Sequence, residues 1–276
     1  METAFYLFCV FLGLLASQEL VRRFPRIMTP IFWILPIALY SRWQEVYPEF
    51  DLFLFVKIWS LVIGITWTTL FRTTPLGEKG WFKYVVYAIL VINILEAVMR
   101  DLIQGNDGIA NYFNGFAGIL LVVTLHKYQS IHTKSINNVQ DMYWGSMTRK
   151  WVIGYTIWNF TFVYLNYNYA ALNHIAVLSA PLFIAMLPNR TGEWLQDRFT
   201  SLAIYLLYNF TFRPFTQQFE INSENTTAGL VLSTISISFL IFVTFMHFKQ
   251  KSSTDDSNDD NDQNQGMQDT ETKASA

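Results

Sequence analysis

The residues of this chain best suited to chemistry lie close together at positions 93–101, within a run of apolar residues. Asn93, Glu96 and Arg100 fall on one face of a helix at about 100° per residue, with Asp101 to the side of that face. Glu96 precedes Arg100 by four positions, the order that favours a helical ion pair. A charge inside a membrane costs about 2.5–3.5 kcal/mol on insertion scales, so such groups face a protein interior or a wet cavity. The pattern predicts either a polar binding site or an ion pair that joins helices or lies at the headgroup boundary.

A second set of polar residues lies in a short repeat. The motif Tyr-x-x-aromatic-Asn-Phe-Thr-Phe occurs at 155–162 and again, fifty residues later, at 205–212. Lipid cannot satisfy the amides of Asn159 and Asn209, so each is predicted to hydrogen-bond across helices. In the alternative interpretation, both amides converge with Asn93 on a pocket beside the charged face. Parallel copies of a helix pair would explain the repeat, as would chance in a chain rich in Phe and Tyr.

Three smaller features accompany these residues. His174 is predicted either to join the pocket as a proton carrier or to lie at the membrane interface. Glu19 and Arg23 have the spacing of a helical ion pair with an anchoring role. The stretch 104–115 is typical of a capped turn, and the helix after it could present free backbone N–H groups to an anion. Without the regular pattern of a calcium loop, it predicts no metal site. The side-chain oxygens at this turn belong to Asp101, Asn106, Asp107, Asn111 and Asn114.

These side chains are positioned by apolar segments of membrane length. The chain is 52% hydrophobic and 14% charged, whereas a soluble domain has about 25% charged residues. We therefore predict an all-α fold, a polytopic transmembrane bundle of about nine helices. The second and eighth segments are the shortest, and the second contains two prolines. The predicted segments cover residues 4–20, 27–40, 52–71, 82–103, 109–125, 151–165, 172–187, 199–212 and 228–248.

Basic residues are concentrated in alternate connections between these segments. Cytoplasmic loops of membrane proteins are enriched in Lys and Arg, so the alternation predicts an external N-terminus and a cytoplasmic C-terminus. The even-numbered connections hold only Arg42 and Arg213. The odd-numbered connections and the tail hold or adjoin Arg22, Arg23, Arg26, Arg72, Lys79, Lys83, Lys127, Lys134, Arg149, Lys150, Arg190, Arg198, Lys249 and Lys251.

The end of the chain has a different composition from the rest. Residues 252–276 contain seven acids and one base, and Met267 is their only large aliphatic side chain. Such a segment cannot bury enough apolar surface to fold. We predict a transmembrane domain at 1–251, followed by a disordered acidic cytoplasmic tail at 252–276.

Several classes of protein are disfavoured by the sequence. The single cysteine, Cys9, permits neither an internal disulfide nor a cysteine-based zinc site. Because no phosphate-binding loop, dinucleotide fingerprint or hydrolase motif occurs, we predict no cofactor and no catalytic residue, and an enzyme is disfavoured. Nucleic-acid binding is not expected, since the chain has no basic stripe.

Three patterns resemble a bacterial multi-pass membrane family that is classed as a domain of unknown function. They are Gln-Glu-Leu-Val-Arg-Arg at 18–23, Asn-x-Leu-Glu-Ala-x-x-Arg-Asp at 93–101 and Tyr-Thr-x-Trp-Asn at 155–159. The resemblance covers the chain up to about His247 and leaves out the tail. It implies a polytopic inner-membrane protein and supplies no activity, substrate or site.

The sequence leaves three functional hypotheses open for a protein of the plasma membrane or a bacterial inner membrane. The first is a transporter or channel-like protein for a small polar or anionic solute, with membrane lipids as its other partners. Glu96 would be its switchable charge and Arg100 the partner of Glu96 or a clamp for a substrate carboxylate. The second is a non-catalytic scaffold, and the third is an enzyme that acts on a lipid-linked substrate through Glu96 and Asp101. The substrate-binding residues of the first hypothesis are Asn93, Glu96, Arg100, Asp101, Asn159 and Asn209.

Overall fold

The structure is a computed structural model that describes residues 1–47, 50, 52–105, 108–220 and 225–249. The predicted tail at 252–276 and the loop residues Asn106 and Asp107 lie outside these ranges. The described residues form ten α-helices, of which α9 is a single turn. The helices are α1 (Glu2–Arg23), α2 (Pro25–Val46), α3 (Leu52–Thr73), α4 (Gly80–Gln104), α5 (Ile109–Val123), α6 (Arg149–Asn166), α7 (Ala171–Met186), α8 (Trp194–Thr211), α9 (Arg213–Thr216) and α10 (Thr226–Lys249).

Five helical stretches among the described residues are long and apolar enough to cross a membrane. They are α1, most of α3 and α4, α7 with the turn before it, and α10, while α5 is apolar but shorter. Each predicted segment falls on a helix, but a count of nine membrane spans is not confirmed. Helix α2 contains Pro30 and Pro36, α6 begins with Arg149 and Lys150, and Asp197 and Arg198 lie in the first two turns of α8.

Helices α7 and α8 pack against each other, and α1, α2, α3 and α6 contact one or both of them. α7 packs against both α6 and α8, and α1 covers α7 and α8 on another side. Helices α6 and α8, which carry the two copies of the repeat, thus both pack against α7, and their parallel direction stays a prediction. α4 packs mainly on α5, where a Cβ on Gly118 would lie 2.4 Å from Val98 and 2.9 Å from the indole nitrogen of Trp158. Only glycine permits this close approach.

The prediction of an all-α fold is corrected by a β-hairpin between α5 and α6. Strands β1 (Ile131–Ile136) and β2 (Val139–Trp144) pair antiparallel. The two residues between them, Asn137 and Asn138, have φ of 51° and 60°, the backbone of the tight turn that suits such hairpins. The signal was present in the sequence, because an Asn-Asn pair lies between runs of β-branched and aromatic residues. Lys134 in the same segment also fits a cytoplasmic loop, and this is the interpretation that the charge pattern favours.

Candidate functional site

A cavity of about 590 Å³ lies between α3, α4, α6, α7 and α8. We call it the central cavity. Its lining includes five of the six residues that the sequence placed in a substrate site, whereas Asp101 does not line it. The size falls within the range of pockets for small molecules, about 300–1,000 Å³. The predicted residues that line it are Asn93, Glu96, Arg100, Asn159 and Asn209.

Glu96 is paired with a lysine from a neighbouring helix. Its Oε2 lies 3.4 Å from Nζ of Lys57 on α3, and the two side chains are 48% and 23% exposed. Arg100, the expected partner on α4, is instead directed to Tyr167: its Nη1 donates to the phenol oxygen at 2.7 Å. The guanidinium also lies 4.4 Å from the centre of that ring. Lys57 was missed, although a lysine within the apolar segment 52–71 was a signal of the same kind as Glu96.

Arg198 is the least satisfied charge of the cavity lining. It had been assigned to the connection before the eighth segment, but it lies in the second turn of α8 and is only 7% exposed. Its Nη2 donates to Oδ1 of Asn159 at 3.2 Å. Among the described residues, its Nε and Nη1 have no hydrogen-bond partner, and neither does the buried Oδ1 of Asn209. The cavity thus presents unused donors and an unused acceptor.

His174 also lines the cavity, which places it beside the residues it was predicted to join. Its Nδ1 lies 3.1 Å from the carbonyl oxygen of Ala170, and its ring centre lies 5.5 Å from that of Tyr205. The ring is therefore packed among protein groups. Whether it carries protons stays a prediction.

Asp101 lies outside the cavity in a cage of amides. It is 2% exposed, and its carboxylate accepts hydrogen bonds from Nδ2 of Asn111, Asn114 and Asn166 at 2.9, 2.7 and 2.7 Å. Asn114 also accepts from Ser236 at 3.3 Å. Asn111 and Asn114, expected in a turn, lie within α5 and face the end of α4. The cage joins α4, α5, α6 and α10. It also holds Asp101 outside the cavity that Glu96 lines, whereas the enzyme hypothesis needs these two acids to act together.

A second charged region lies at the end of the bundle that carries the hairpin. Asp141 on β2 is 0% exposed. Its carboxylate accepts from Nη2 of Arg22 at 2.7 Å and Nε at 3.0 Å, and from Nε2 of Gln196 at 3.0 Å. Arg72 donates from Nε to the carbonyl oxygen of Gln140 at 2.7 Å and from Nη2 to that of Arg22. The hairpin is thus fastened to the ends of α1 and α3 and the start of α8.

Two further acids complete this region. Glu193 is 0% exposed and lies 2.5 Å from Arg190 and 3.4 Å from Arg22. Burial raises the pKa of Glu193, although its hydrogen bond from Arg190 acts in the opposite direction. Glu19 pairs with Arg22 at 3.2 Å and with Arg23 at 2.7 Å, which confirms the predicted pair. We call the region the hairpin cluster; its members are Glu19, Arg22, Arg72, Asp141, Arg190, Glu193 and Gln196.

A smaller cavity of about 360 Å³ lies near the same end, between α6 and α10. His126 lines it, with its ring centre 5.8 Å from that of His247. Burial, with a smaller contribution from His247, lowers the pKa of His126 to about 4. Arg149 and Lys150 line the same cavity, so protonation of His126 would add charge to an already cationic site.

Comparison with known proteins identifies a family and no activity. The model described as "Family of unknown function (DUF5692)" matches residues 1–272, and the chain therefore belongs to that family. This match confirms the resemblance and extends it past His247 into the acidic tail. The bacterial origin that the resemblance implied stays a prediction. No curated protein and no solved structure matches the chain.

Proposed function

We propose that this member of the family of unknown function DUF5692 is a transporter or channel-like protein that binds a small polar or anionic solute in the central cavity. One observation supports the proposal above all others. Polar and charged side chains from five separate helices line one cavity of about 590 Å³. Such groups are costly beside lipid and are retained in membrane proteins where they line solute pathways.

The two ends of the cavity suggest a direction of access. Lys57, Glu96 and Tyr169 are partly or fully exposed and mark its open end, whereas the buried Arg198 marks its deep end. Beyond Arg198 the bundle is closed by the hairpin cluster. With the predicted orientation, the open end faces outward and the cluster faces the cytoplasm of a plasma or bacterial inner membrane. Glu96, which Lys57 neutralises, is the charge that we assign to coupling.

The test of access uses a single cysteine in the cavity. In a Cys9→Ser background, Asn209→Cys should react with a membrane-impermeant thiol reagent added from water on one side of the membrane. Phe116→Cys is the matched control, since that α5 side chain is 53% exposed and outside the cavity lining. It should stay unreactive in lipid. An unreactive Asn209→Cys from both sides would show a dry cavity and remove the proposal.

The test of transport uses the acid at the cavity mouth. Reconstituted protein is challenged with concentration jumps of carboxylates, amino acids and neutral sugars, and flux is recorded. Glu96→Gln should abolish the flux while expression is kept, because it removes the switchable charge. Glu78→Gln, at an exposed acid outside the cavity, should transport normally. Equal flux through the wild type and Glu96→Gln would contradict the assigned role.

A further inference from the structure

We propose that the solute is an organic anion whose carboxylate is held by Arg198 at the deep end of the central cavity. This inference rests on the proposed function and names its substrate class. Arg198 is more than nine-tenths buried, it lines the cavity, and two of its three nitrogens have no partner among the described residues. A buried charge without a counter-charge is unfavourable, so a site of this kind gains stability when an anion binds.

The charges of the cavity favour an anion. Three cationic side chains, Lys57, Arg100 and Arg198, and one acid, Glu96, line it, so its formal charge is 3 − 1 = +2 with His174 neutral. Two of these cations already have partners, because Lys57 faces Glu96 and Arg100 donates to Tyr167. No described carboxylate forms an ion pair with Arg198. Arg198 is therefore the cation for which a solute can supply the counter-charge.

The geometry of the free donors fits a carboxylate. Nη2 of Arg198 donates one of its two hydrogens to Asn159, and the hydrogens of Nε and Nη1 have no partner among the described residues. Nε and Nη1 lie on different edges of the guanidinium, so each forms a parallel fork only together with Nη2. Whichever Nη2 hydrogen Asn159 takes, the other lies beside Nε or Nη1, and that pair can donate to both oxygens of a planar carboxylate, whereas a lysine ammonium acts as a point charge. Asn159 fixes the plane of the group and thereby preorganises it.

The surroundings of Arg198 fit the apolar body of such an anion. Between Arg198 and Asn209 the α8 face contributes Leu202, Tyr205 and Leu206 to the cavity, and Phe162 lies across from them on α6. The two polar residues are eleven positions apart, about 16 Å along a helix. The site therefore favours an elongated carboxylate with an aliphatic or aromatic body over a small inorganic anion.

The experiment measures binding to the full-length protein in detergent, with octanoate as the probe. Octanoate should raise the melting temperature and bind saturably by calorimetry. Octanamide should do neither, because it lacks the charge. Chloride and inorganic phosphate should do neither, because they lack the apolar body and the planar fork of oxygens. Equal binding of octanamide would show that the cavity only takes up apolar chains, and this result would overturn the proposal.

Substitutions at Arg198 give the decisive comparison. Arg198→Gln should weaken octanoate binding by at least about tenfold, the loss of a charge-assisted hydrogen bond, and Arg198→Lys should weaken it less. Without ligand, the melting temperature of Arg198→Gln should not fall, since the variant removes an unpaired buried charge. Arg23→Gln is the matched control, because that arginine is 59% exposed outside the cavity. Unchanged binding by Arg198→Gln, or full rescue by lysine, would contradict a carboxylate clamp.

The outcomes for this site and for transport can be told apart. Arg198-dependent binding without flux of octanoate through the reconstituted protein would support the anion site and remove transport. Flux of a neutral or cationic solute that depends on Glu96, with no octanoate binding, would support transport and overturn the anion site. A solubilised Arg198→Gln protein that is monodisperse and binds no octanoate supports the proposal irrespective of flux.

Discussion

The hairpin cluster and the central cavity both contain buried arginines, but their arginines are satisfied to different degrees. In the cluster, Arg22 meets the carboxylates of Asp141, Glu19 and Glu193, and Arg72 donates to backbone carbonyls. In the cavity, Arg198 has a single amide partner and two unused donors. Buried charges that are paired with one another fasten elements together, whereas a charge left partly unpaired is suited to a ligand. The cluster therefore joins structural elements, and the cavity is the region in which we propose that a ligand binds.

The largest effect is expected at the centre of the cluster. Asp141→Asn keeps the shape of the side chain and leaves Arg22 without its main buried counter-charge. Breaking a buried ion pair from one side costs about 3–5 kcal/mol, so the variant should melt far below the wild type in detergent. Thermal unfolding followed by size-exclusion chromatography measures this. A melting temperature equal to that of Glu78→Gln, an exposed control, would show that the cluster does not fasten the hairpin.

A matched pair of arginine substitutions tests the comparison directly. Arg72→Gln removes hydrogen bonds from a charged donor to the carbonyl oxygens of Gln140 and Arg22, and we expect a loss of about 1.5–3 kcal/mol. Arg198→Gln should cost nothing in the same thermal assay. If both variants lost the same stability, Arg198 would be a structural residue like Arg72, and the distinction between the two regions would disappear.

A smaller, pH-dependent effect is expected at His126. An unfolded histidine has a pKa of about 6.5, whereas the folded value is about 4. The unfolded state therefore binds the proton more tightly, so stability should decrease as the pH falls from about 6.5 towards 4. His126→Gln should flatten this part of a plot of melting temperature against pH. The same slope in the variant would mean that other groups cause the acid sensitivity.

The smallest effect is expected at the mouth of the cavity. The Lys57–Glu96 pair is partly exposed, and exposed ion pairs contribute about 0–1 kcal/mol. Lys57→Gln should thus leave the melting temperature nearly unchanged while it alters flux, because Glu96 loses its neutralising partner. A large loss of stability would place this pair with the structural ion pairs of the hairpin cluster.

Sequence reasoning located the helices and several of the polar residues of the cavity lining for a clear physical reason. Polar residues in an apolar segment are few, and the helical period states which of them share a face. Asn93, Glu96 and Arg100 could be grouped in this way. The repeat added Asn159 and Asn209, because equivalent positions on parallel helices reach the same side of a bundle.

The partners of these residues could not be predicted in the same way. The spacing of four residues predicts an ion pair between Glu96 and Arg100. The observed pairing of Glu96 with Lys57 depends on how α3 packs beside α4, which the spacing does not contain. Arg198 was assigned to a connection because α8 begins five residues before the predicted segment does. By sequence, Asp141 lies in a connection between two predicted segments. Its contact with Arg22, 119 positions away along the chain, arises only from the fold.

That separation has a consequence for how the protein is made. Arg22 and Arg72 are synthesised before the hairpin, so Arg22 cannot meet Asp141, and Arg72 cannot meet the carbonyl of Gln140, until β2 exists. Until then Glu19, three residues earlier in the chain, is the acid of the cluster that is already available to Arg22. The contacts that hold the hairpin to the ends of α1 and α3 can therefore form only after the middle of the chain has been made.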